Sequence, residues 1–490
     1  MASSFHIENF GCRAARADGE ALASGLSQLG LASSAMPSAD VVVVNTCSVT
    51  AEADREARVF IRRARRLNPS ARILVTGCYA QRAPEEIAAL PGVSAVVGNS
   101  HKAFAPEIAI RLASGSVIEA PPLIPVSSLL GLGAPIWADD AFAHSFLEDA
   151  QVLPGSQPGS QTRPNLKIQE GCSNRCTFCV IPQTRGSSRS LSPESILRQV
   201  ANFVAAGGNE LVLSGINLGR CGRDLSPEPT CGLNAKPTLA ALVRAILAGT
   251  NLPRLRLSSI EPMDWDSELI ALFRLFPPAR LARHAHLPLQ SGSDSVLRRM
   301  HRRYRPWHYV EKVAALTAAC QNSSGQDDLT LGADVMVGFP GETDAEFAET
   351  YELVRALPFG YLHLFPFSPR PGTRAFVLHQ QSPVPPSIVT ERMTALRTLA
   401  REKTRAHRQS MIGRTLDAIT LHTPEALANQ HRAAALTQNF LPVELEGAIA
   451  PNRLLHIQIT AVKDDMTLAA SPLGSPAAED YVSPQLRAQR

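Results

Sequence analysis

Three cysteines close together near the middle of the chain carry the strongest chemical signal in the sequence. Cys172, Cys176 and Cys179 form a C-x3-C-x2-C run within Gly-Cys-Ser-Asn-Arg-Cys-Thr-Phe-Cys, directly after an apolar segment. Three thiolates so close together cannot all pair with one another, and a structural zinc ion normally takes four protein ligands. Three cysteines suit a [4Fe-4S] cluster in which one iron stays open to bind another molecule. Three buried or incidental thiols are the alternative.

Three further cysteines each follow a predicted strand in the first hundred residues. The carboxyl ends of parallel strands share one edge of a sheet, where ligands bind, so these cysteines can meet in space. Spacing alone leaves a second three-cysteine cluster and three buried thiols as equal alternatives. The cysteines and strands are Cys12 after Phe5 to Phe10, Cys47 after Val41 to Val44, and Cys78 after Arg72 to Thr76.

Composition sets the class of protein in which these cysteines act. The chain has 490 residues, 44% hydrophobic and 19% charged, which is typical of globular proteins with about three domains. Nine cysteines, an odd number, fit metal binding or redox chemistry better than a disulfide framework. The net charge of +4 does not by itself predict nucleic-acid binding. The start lacks a signal-peptide pattern and the longest apolar stretch, Val117 to Trp137, contains four prolines, so we expect a cytoplasmic protein with no membrane segment.

Apolar strands alternate with helices through most of the chain. This alternation predicts a parallel α/β domain in residues 1–115. A segment rich in proline, serine and glycine predicts a linker at 116–162. Residues 163–390 contain six strand and helix units, which suit an open or closed parallel barrel. The six strand candidates are Leu166 to Gln169, Glu210 to Ser214, Arg254 to Ser258, Ala285 to Leu289, Asp334 to Gly338 and Tyr361 to Phe365.

The pattern changes in the last hundred residues. A basic helix at 391–412 precedes short alternating runs at 413–472, which predict a small all-β barrel, and 473–490 form a tail. Basic residues cluster at three places and are candidates for phosphate contacts, although most charged runs are only solvated faces. They are Arg55, Arg58, Arg62, Arg63, Arg65 and Arg66; Arg298, Arg299, Arg302, Arg303 and Arg305; and Arg397, Arg401, Lys403, Arg405 and Arg408.

The C-x3-C-x2-C loop resembles that of the radical S-adenosylmethionine (SAM) superfamily, whose signature has an aromatic residue before the last cysteine. Phe178 fills that place. The resemblance implies a [4Fe-4S] cluster whose fourth iron chelates the amino and carboxylate groups of SAM. The reduced cluster would cleave SAM to a 5'-deoxyadenosyl radical at the C-terminal mouth of the barrel.

Strand order and this resemblance together imply further SAM contacts. Ser214 and Gly215 end the second barrel strand, near the expected methionine amino group. Gln290 ends the fourth strand near the ribose, and the backbone from Val335 to Gly338 ends the fifth near the adenine. A structural role in the turns is the alternative for each of them. The remaining cysteines, which match no cluster motif, are expected to be ordinary thiols: Cys221, Cys231 and Cys320.

Nearly the whole chain is similar to the methylthiotransferases. The resemblance implies an α/β protein with a flavodoxin-like parallel N-terminal domain, a radical SAM partial (β/α)6 barrel and a small all-β TRAM-like RNA-binding barrel. It also implies that Cys12, Cys47 and Cys78 hold a second, auxiliary [4Fe-4S] cluster whose open iron carries the sulfur to be inserted. The matching segments are Leu166 to Ser190 (LKIQEGCSNRCTFCVIPQTRGSSRS), Ser258 to Pro262 (SSIEP), His286 to Ser293 (HLPLQSGS), Asp334 to Glu342 (DVMVGFPGE) and Phe365 to Thr373 (FPFSPRPGT).

One segment looks most like the branch of the family that acts on N6-threonylcarbamoyladenosine in tRNA. This segment is Asn45 to Arg58 (NTCSVTAEADREAR), with Val-Thr and Ala-Asp-Arg placed as in that branch. The chain departs from the branch after Cys12, where a basic residue, Val and Asn are usual and Arg13-Ala14-Ala15 stands instead. Farther on, Ala435 to Val443 (ALTQNFLPV) matches the central strand region of a TRAM domain. There Phe440 could stack on a base, or could be a core aromatic.

These resemblances imply a tRNA methylthiotransferase that converts the C2-H of N6-threonylcarbamoyladenosine at position 37 of tRNA to C2-SCH3. One SAM would methylate a sulfur at the auxiliary cluster, and another would be cleaved to the radical that takes hydrogen from C2. The cofactors are then two [4Fe-4S] clusters and SAM. We expect the protein to be a monomer. Its expected partners are tRNA, an unidentified electron donor and an unidentified sulfur source. The alternatives are the same chemistry on isopentenyladenosine in tRNA or on a ribosomal-protein aspartate, and a non-catalytic, redox-sensing iron-sulfur RNA-binding protein.

Overall fold

The structure is a computed structural model that describes residues 3–115, 134–145, 152, 161–226, 237–321 and 328–475. Its N-terminal part is built on a six-stranded parallel sheet with the order β2-β1-β3-β4-β5-β6. The strands are β1 (Ser4–Asn9), β2 (Ala32–Ser33), β3 (Val41–Thr46), β4 (Arg72–Gly77), β5 (Val93–Gly98) and β6 (Ile136–Trp137).

Helices cover both faces of this sheet, which explains its continuous apolar strands. Val42 and Val44 of β3 pack into one buried cluster. Val41 and Val43 point to the opposite face and pack into another. The helices are α1 (Arg13–Gln28), α2 (Ala51–Leu67), α3 (Cys78–Arg82), α4 (Pro84–Ala88) and α5 (Ala105–Ala113), with 3-10 turns at Met36–Ser38 and Asn99–Phe104.

Two features of this domain differ from the sequence prediction. Helix α1 begins at Arg13 rather than near Glu20, since Ala14, Ala15 and Ala17 favour a helix and are buried against the sheet. Residues 134–145 lie within the predicted linker, but Ile136–Trp137 pairs with β5 as a sixth strand. A strand of two residues is too short to show a period in the sequence.

The central part contains the six predicted parallel strands, arranged as a partial barrel. Two sheets, β10-β9-β7-β8 and β11-β12-β13, meet at a bridge between Leu255 and Leu281. Among the described strands of these two sheets, only the short β8 runs antiparallel, beside β7. The strands are β7 (Asn165–Glu170), β8 (Arg189–Ser190), β9 (Glu210–Gly215), β10 (Arg254–Leu257), β11 (His284–His286), β12 (Thr330–Val337) and β13 (Phe359–Pro366).

Helices pack outside this barrel and enclose the largest buried apolar cluster. Thr343 begins one of them with a capping box, because its side chain accepts from the Glu346 amide and the Glu346 side chain accepts from the Thr343 amide. The helices are α6 (Ile181–Arg185), α7 (Pro193–Ala205), α8 (Leu239–Gly249), α9 (Ser267–Leu275), α10 (Asp294–Arg299), α11 (Pro306–Cys320), α12 (Asp344–Ala356) and α13 (Arg374–Gln381), with 3-10 turns at Leu218–Arg220 and Pro262–Asp264.

The C-terminal part is a long helix followed by a closed five-stranded barrel with the order β14-β15-β16-β18-β17. The predicted fold class, with parallel α/β domains and a small terminal β-barrel, is therefore confirmed. The helix begins five residues earlier than predicted, at a proline that suits the first helical turn. The elements are α14 (Pro386–Gln409), β14 (Thr415–Thr420), α15 (Glu425–Ala428), β15 (Arg432–Thr437), β16 (Pro442–Glu446), β17 (Leu454–Val462) and β18 (Leu468–Gly474).

Phe440 lies where the small barrel meets the rest of the protein. Its ring centroid is 4.4 Å from that of His284, at the start of β11. Three guanidinium groups lie between 5.1 and 5.9 Å from the same ring, from Arg13, Arg163 and Arg256. Phe440 is therefore neither a free stacking platform nor a core residue of the small barrel, because its ring fills the junction between domains.

None of the helices in the described part of the chain combines the length and apolar character needed to cross a membrane.

Candidate metal centres

The C-x3-C-x2-C loop leaves the C-terminal end of β7, as the sequence predicts. The Cys172 amide donates to the Gly186 carbonyl at 3.0 Å, and the Thr177 amide donates to the Met300 carbonyl at 3.1 Å. The Ala375 amide in turn donates to the Thr177 carbonyl at 2.8 Å. Backbone bonds from three separate elements therefore fix the course of this loop.

Each sulfur of this loop accepts a hydrogen bond from a nearby N–H group. Such donors are typical of iron-sulfur sites, where they orient the ligands and set the reduction potential. The donors are the Asn174 amide and Asn217 Nδ2 to Cys172 at 3.5 Å, Arg302 Nη1 to Cys176 at 3.3 Å, and the Ile181 amide to Cys179 at 3.5 Å.

Two thiols of this loop, those of Cys172 and Cys179, have a raised pKa. Burial raises the pKa of Cys179 to about 12 and also raises the pKa of Cys172. A coordinated metal ion supplies the missing counter-charge and deprotonates its cysteine ligands outright. The loop is therefore suited to a metal cluster rather than to free thiolates.

The three N-terminal cysteines also come together, at the C-terminal edge of the first sheet. Cys12 is exposed and lies at the start of α1, whereas Cys47 and Cys78 are buried. Burial, with the neighbouring Cys78 and Cys12, raises the pKa of Cys47 to about 12. Because Cys12 is exposed, the three cysteines are not all buried in the core, and they form a second candidate cluster site.

Gly11 allows the backbone before Cys12 to pass close to the side chain of Cys47. Its φ is +106°, and a Cβ built on it would lie 2.5 Å from Cys47 Cβ and 2.7 Å from Cys47 Sγ. A side chain at position 11 would therefore occupy the space of the Cys47 side chain.

Consecutive residues connect the two cysteine triads. Arg185 Nε donates to Cys78 Sγ at 3.2 Å, beside a second donor, Asn99 Nδ2, at 3.4 Å. The next residue, Gly186, accepts the Cys172 amide bond at its carbonyl. The two triads therefore share one junction between the first sheet and the barrel.

A single metal ion is not what these sites are arranged to bind. In the part of the chain that the structure describes, no three His, Cys, Asp or Glu side chains are placed to ligate one ion. A [4Fe-4S] cluster takes each cysteine on a separate iron, so its ligands need not converge on one point. The two triads fit that group.

Two residues predicted to contact SAM present unused polar atoms. Ser214 Oγ and Gln290 Oε1 are buried and have no hydrogen-bond partner among the described residues. Buried polar atoms are normally satisfied, so a ligand or water is expected at both places. Gly215 ends β9 beside Ser214. The mouth of the barrel therefore fits a polar cofactor such as SAM.

The other predicted SAM contacts have neighbours within the chain. Phe178 is half-buried and packs on the barrel core. Val335 is fully buried and pairs with Gln290. The Gly338 amide donates to Glu342 Oε1 at 3.2 Å, so an adenine would have to use other backbone atoms of this segment.

Arg302 is wrongly placed among the candidate phosphate contacts, because its side chain is only 9% exposed and bonds Cys176. The sequence analysis also missed Arg185, Asn99 and Asn217, whose partners are far away along the chain. In the sequence, Arg185 is marked only by its position within Leu166 to Ser190, one of the segments that carry the family resemblance.

Asp54 ties the first domain to the barrel. It binds Arg82 at 2.8 Å and Arg370, which follows β13, at 2.5 Å. Replacing Asp54 with Ala removes the carboxylate partner of the buried Arg370 and of the half-buried Arg82, which among the described residues keep only the Ser48 hydroxyl as a shared acceptor, and we expect a loss of about 3 kcal/mol in the free energy of unfolding. Denaturant unfolding measures this loss. As a control, Glu52→Ala removes an exposed ion pair of the same helix and should have little effect; equal effects of the two changes would contradict this role.

Comparison with family models identifies two matching regions. Residues 4–98 match the family described as Uncharacterized protein family UPF0004, and residues 166–354 match the Radical SAM superfamily. These regions contain the first and second cysteine triads, respectively. The structure is also similar to that of the radical S-adenosylmethionine methyltransferase TsrM from Kitasatospora setae, with a TM-score of 0.51 and 15% identity over 76% of this chain and 77% of that one. At this identity the likeness shows the fold alone.

Curated relatives match over most of the chain. The threonylcarbamoyladenosine tRNA methylthiotransferase MtaB of Bacillus subtilis is 34% identical over 84% of this chain and 82% of its own length. The Aquifex aeolicus protein of that name is 33% identical over 92% and 99%. The tRNA-2-methylthio-N(6)-dimethylallyladenosine synthase of Parafrankia sp. is 31% identical over 93% and 83%.

Proposed function

The chain belongs to the radical SAM methylthiotransferases, and from this membership we propose that it inserts a methylthio group at C2 of N6-threonylcarbamoyladenosine at position 37 of tRNA. The observation that carries the proposal is the junction at which two cysteine triads meet through Arg185 and Gly186. One cluster alone would serve the radical step. A second cluster beside it would supply a site for the sulfur that is inserted.

The protein binds and orients the reactants, and the cofactors carry out the difficult chemical steps. When bound, the two [4Fe-4S] clusters and SAM supply the electron transfer and the methyl and sulfur atoms of the product. Cys172, Cys176 and Cys179 would hold one cluster, and the N-terminal triad would hold the other. Ser214 and Gln290 would bind polar groups of SAM through the oxygen atoms that are otherwise unpaired. Fixed geometry of this kind lowers the entropic part of the activation free energy, because the reactants are already held together before they react.

The interior of the barrel favours a polar substituent on the adenine over an isopentenyl group. Asp334 lies next to Gln290, whose amide donates to the Asp334 carbonyl at 2.7 Å. The Asp334 carboxylate pairs with His286 Nε2 at 3.2 Å, and His286 Nδ1 lies 3.0 Å from the Tyr361 hydroxyl. His363 packs beside them. This wall is polar, so it suits a substituent that carries a hydroxyl better than it suits an apolar isopentenyl chain.

The experiment that tests the substrate is nucleoside mass spectrometry of tRNA from a deletion strain. We expect 2-methylthio-N6-threonylcarbamoyladenosine to disappear and its unmethylthiolated precursor to accumulate. The unsubstituted gene should restore the product, and the Cys176→Ala gene should not. Loss of the isopentenyladenosine product instead would assign the chain to that substrate. If tRNA is unchanged while a ribosomal-protein aspartate loses its methylthio group, tRNA is not the substrate.

Three arginines on the long helix α14 form the best candidate for phosphate contacts. Arg397, Arg401 and Arg405 are exposed and four residues apart, so they share one helix face. Replacing all three with Gln should weaken tRNA binding and make it less dependent on salt, with the slope of log K against log salt falling by roughly 0.7 to 0.9 per lost phosphate contact. Filter binding over a salt series measures both effects.

The matched control for that experiment is Arg55→Gln. Arg55 is exposed on α2 and already paired with Glu52, so its loss should leave tRNA affinity unchanged. An unchanged affinity in the triple variant would place the RNA-binding surface elsewhere on the protein.

A further inference from the structure

We propose that Arg185 and Arg302 are matched positioning residues, each of which donates a hydrogen bond to a ligand sulfur of a different cluster and sets the reduction potential of that cluster alone. The inference rests on the proposed function, because it takes both triads as cluster sites. It goes beyond that function by assigning to each cluster one arginine that sets its reduction potential.

Arg185 is held by partners from both domains. Its side chain is 1% exposed. While Nε donates to Cys78 Sγ, Nη1 donates to Glu170 Oε1 at 2.8 Å and Nη2 to Asp18 Oδ2 at 3.0 Å. Glu170 ends β7 immediately before the C-x3-C-x2-C loop, whereas Asp18 lies on α1 behind Cys12. A planar guanidinium can serve three such partners at once, and a lysine ammonium cannot reproduce this fork.

Two lysines share the carboxylate partners of Arg185. Lys102 Nζ pairs with Asp18 at 2.6 Å, and Lys167 pairs with both Asp18 and Glu170. Three cations are therefore buried with two carboxylates. An anionic thiolate-ligated cluster beside Arg185 would be a further partner for these cations.

Arg302 repeats this arrangement at the other triad. Its Nη1 donates to Cys176 Sγ, and its Nη2 lies 3.3 Å from Glu261 Oε1. Its Nε donates to the Tyr304 hydroxyl at 3.2 Å, with the guanidinium over the Tyr304 ring. Glu261 also accepts from Asn174 Nδ2 at 2.6 Å, which ties this arginine to the cluster loop.

A charged N–H donor next to a ligand sulfur stabilises the reduced, more negative form of an iron-sulfur cluster. Loss of the donor should therefore lower the reduction potential of the cluster that it contacts. Because Arg185 contacts Cys78 and Arg302 contacts Cys176, the two substitutions should act on different clusters.

The test is potentiometry followed by electron paramagnetic resonance on the anaerobically reconstituted full-length protein. Arg185→Met, which removes the charged donor, should lower the potential and alter the spectrum of the N-terminal cluster, and Arg302→Met should do so for the loop cluster. The variant lacking Cys172, Cys176 and Cys179 identifies which signal belongs to which triad. A shift of both clusters by either variant, or of neither, would overturn the inference.

A second variant distinguishes the loss of Arg185 from misfolding of the protein. Arg185→Met combined with Asp18→Asn removes one cation and one anion, so the net charge of the buried group is unchanged. With native circular dichroism, this variant should show a lower potential or loss of the N-terminal cluster; an unaltered potential would contradict the role of Arg185. If the unsubstituted protein holds no N-terminal cluster, the proposed function itself fails, which distinguishes the two outcomes.

Discussion

Cys176→Ala should abolish formation of 5'-deoxyadenosine, whereas Cys47→Ala should leave it largely intact and stop methylthiolation. Without Cys176 the loop loses a cluster ligand that its neighbours are arranged to support. Cys47 belongs to the other triad. Its loss should remove the proposed site for the inserted sulfur but not the proposed site of SAM cleavage. Both products can be measured in one reaction with reduced enzyme, SAM and tRNA, by liquid chromatography and mass spectrometry.

The control for this pair is Cys221→Ala. Cys221 is also buried, but it packs in the barrel core and its thiol faces the Ile168 carbonyl at 3.8 Å. Its replacement should change neither product. If Cys47→Ala makes the methylthiolated nucleoside at the unsubstituted rate, the N-terminal triad is not the sulfur site.

The fold could be predicted from the sequence because its strands are short apolar runs separated by amphipathic helices. All six barrel strands overlap the predicted ones, although β11 already ends at His286 and β12 already begins at Thr330. Prediction failed where the signal is local and weak. The two-residue strand Ile136–Trp137 has no period of its own and exists only because β5 offers it an edge.

The cysteine sites could also be predicted, for two different reasons. The loop triad is local in sequence, so its spacing suffices. The N-terminal triad depends on the rule that parallel strands end at one edge. In contrast, Arg185 and Cys78 are 107 residues apart, and Arg302 and Cys176 are 126 apart. Only the assembled fold brings such pairs together, which is why arginines that adjust a cluster look like ordinary surface charges in the sequence.

The contacts of Phe440 also could not be predicted from its local sequence. Its segment matches an RNA-binding module, and an aromatic residue there predicts base stacking or a core position. The structure places the ring against His284 and beside Arg256 of the barrel. The partner domain, and not the local strand pattern, decides its environment.

Gly11→Ala should remove the N-terminal cluster and leave the loop cluster in place. The added methyl group would lie 2.5 Å from Cys47 Cβ, and position 11 has a φ of +106° that an alanine rarely adopts. Cys47 or the start of α1 must therefore move, and the three cysteines can no longer hold one cluster. Iron analysis after anaerobic reconstitution should give about four irons per chain instead of about eight.

Gly30→Ala separates backbone strain from the close approach to Cys47. Gly30 also has a positive φ, +89°, but a Cβ there meets nothing within 4 Å. Its replacement should cost about 1 kcal/mol of stability, because only strain is added, and the full iron content should remain. If Gly11→Ala also keeps the full iron content, Cys47 is not a ligand held against this turn. If both variants lose iron equally, strain in the first domain, and not the fit between Gly11 and Cys47, controls assembly of the cluster.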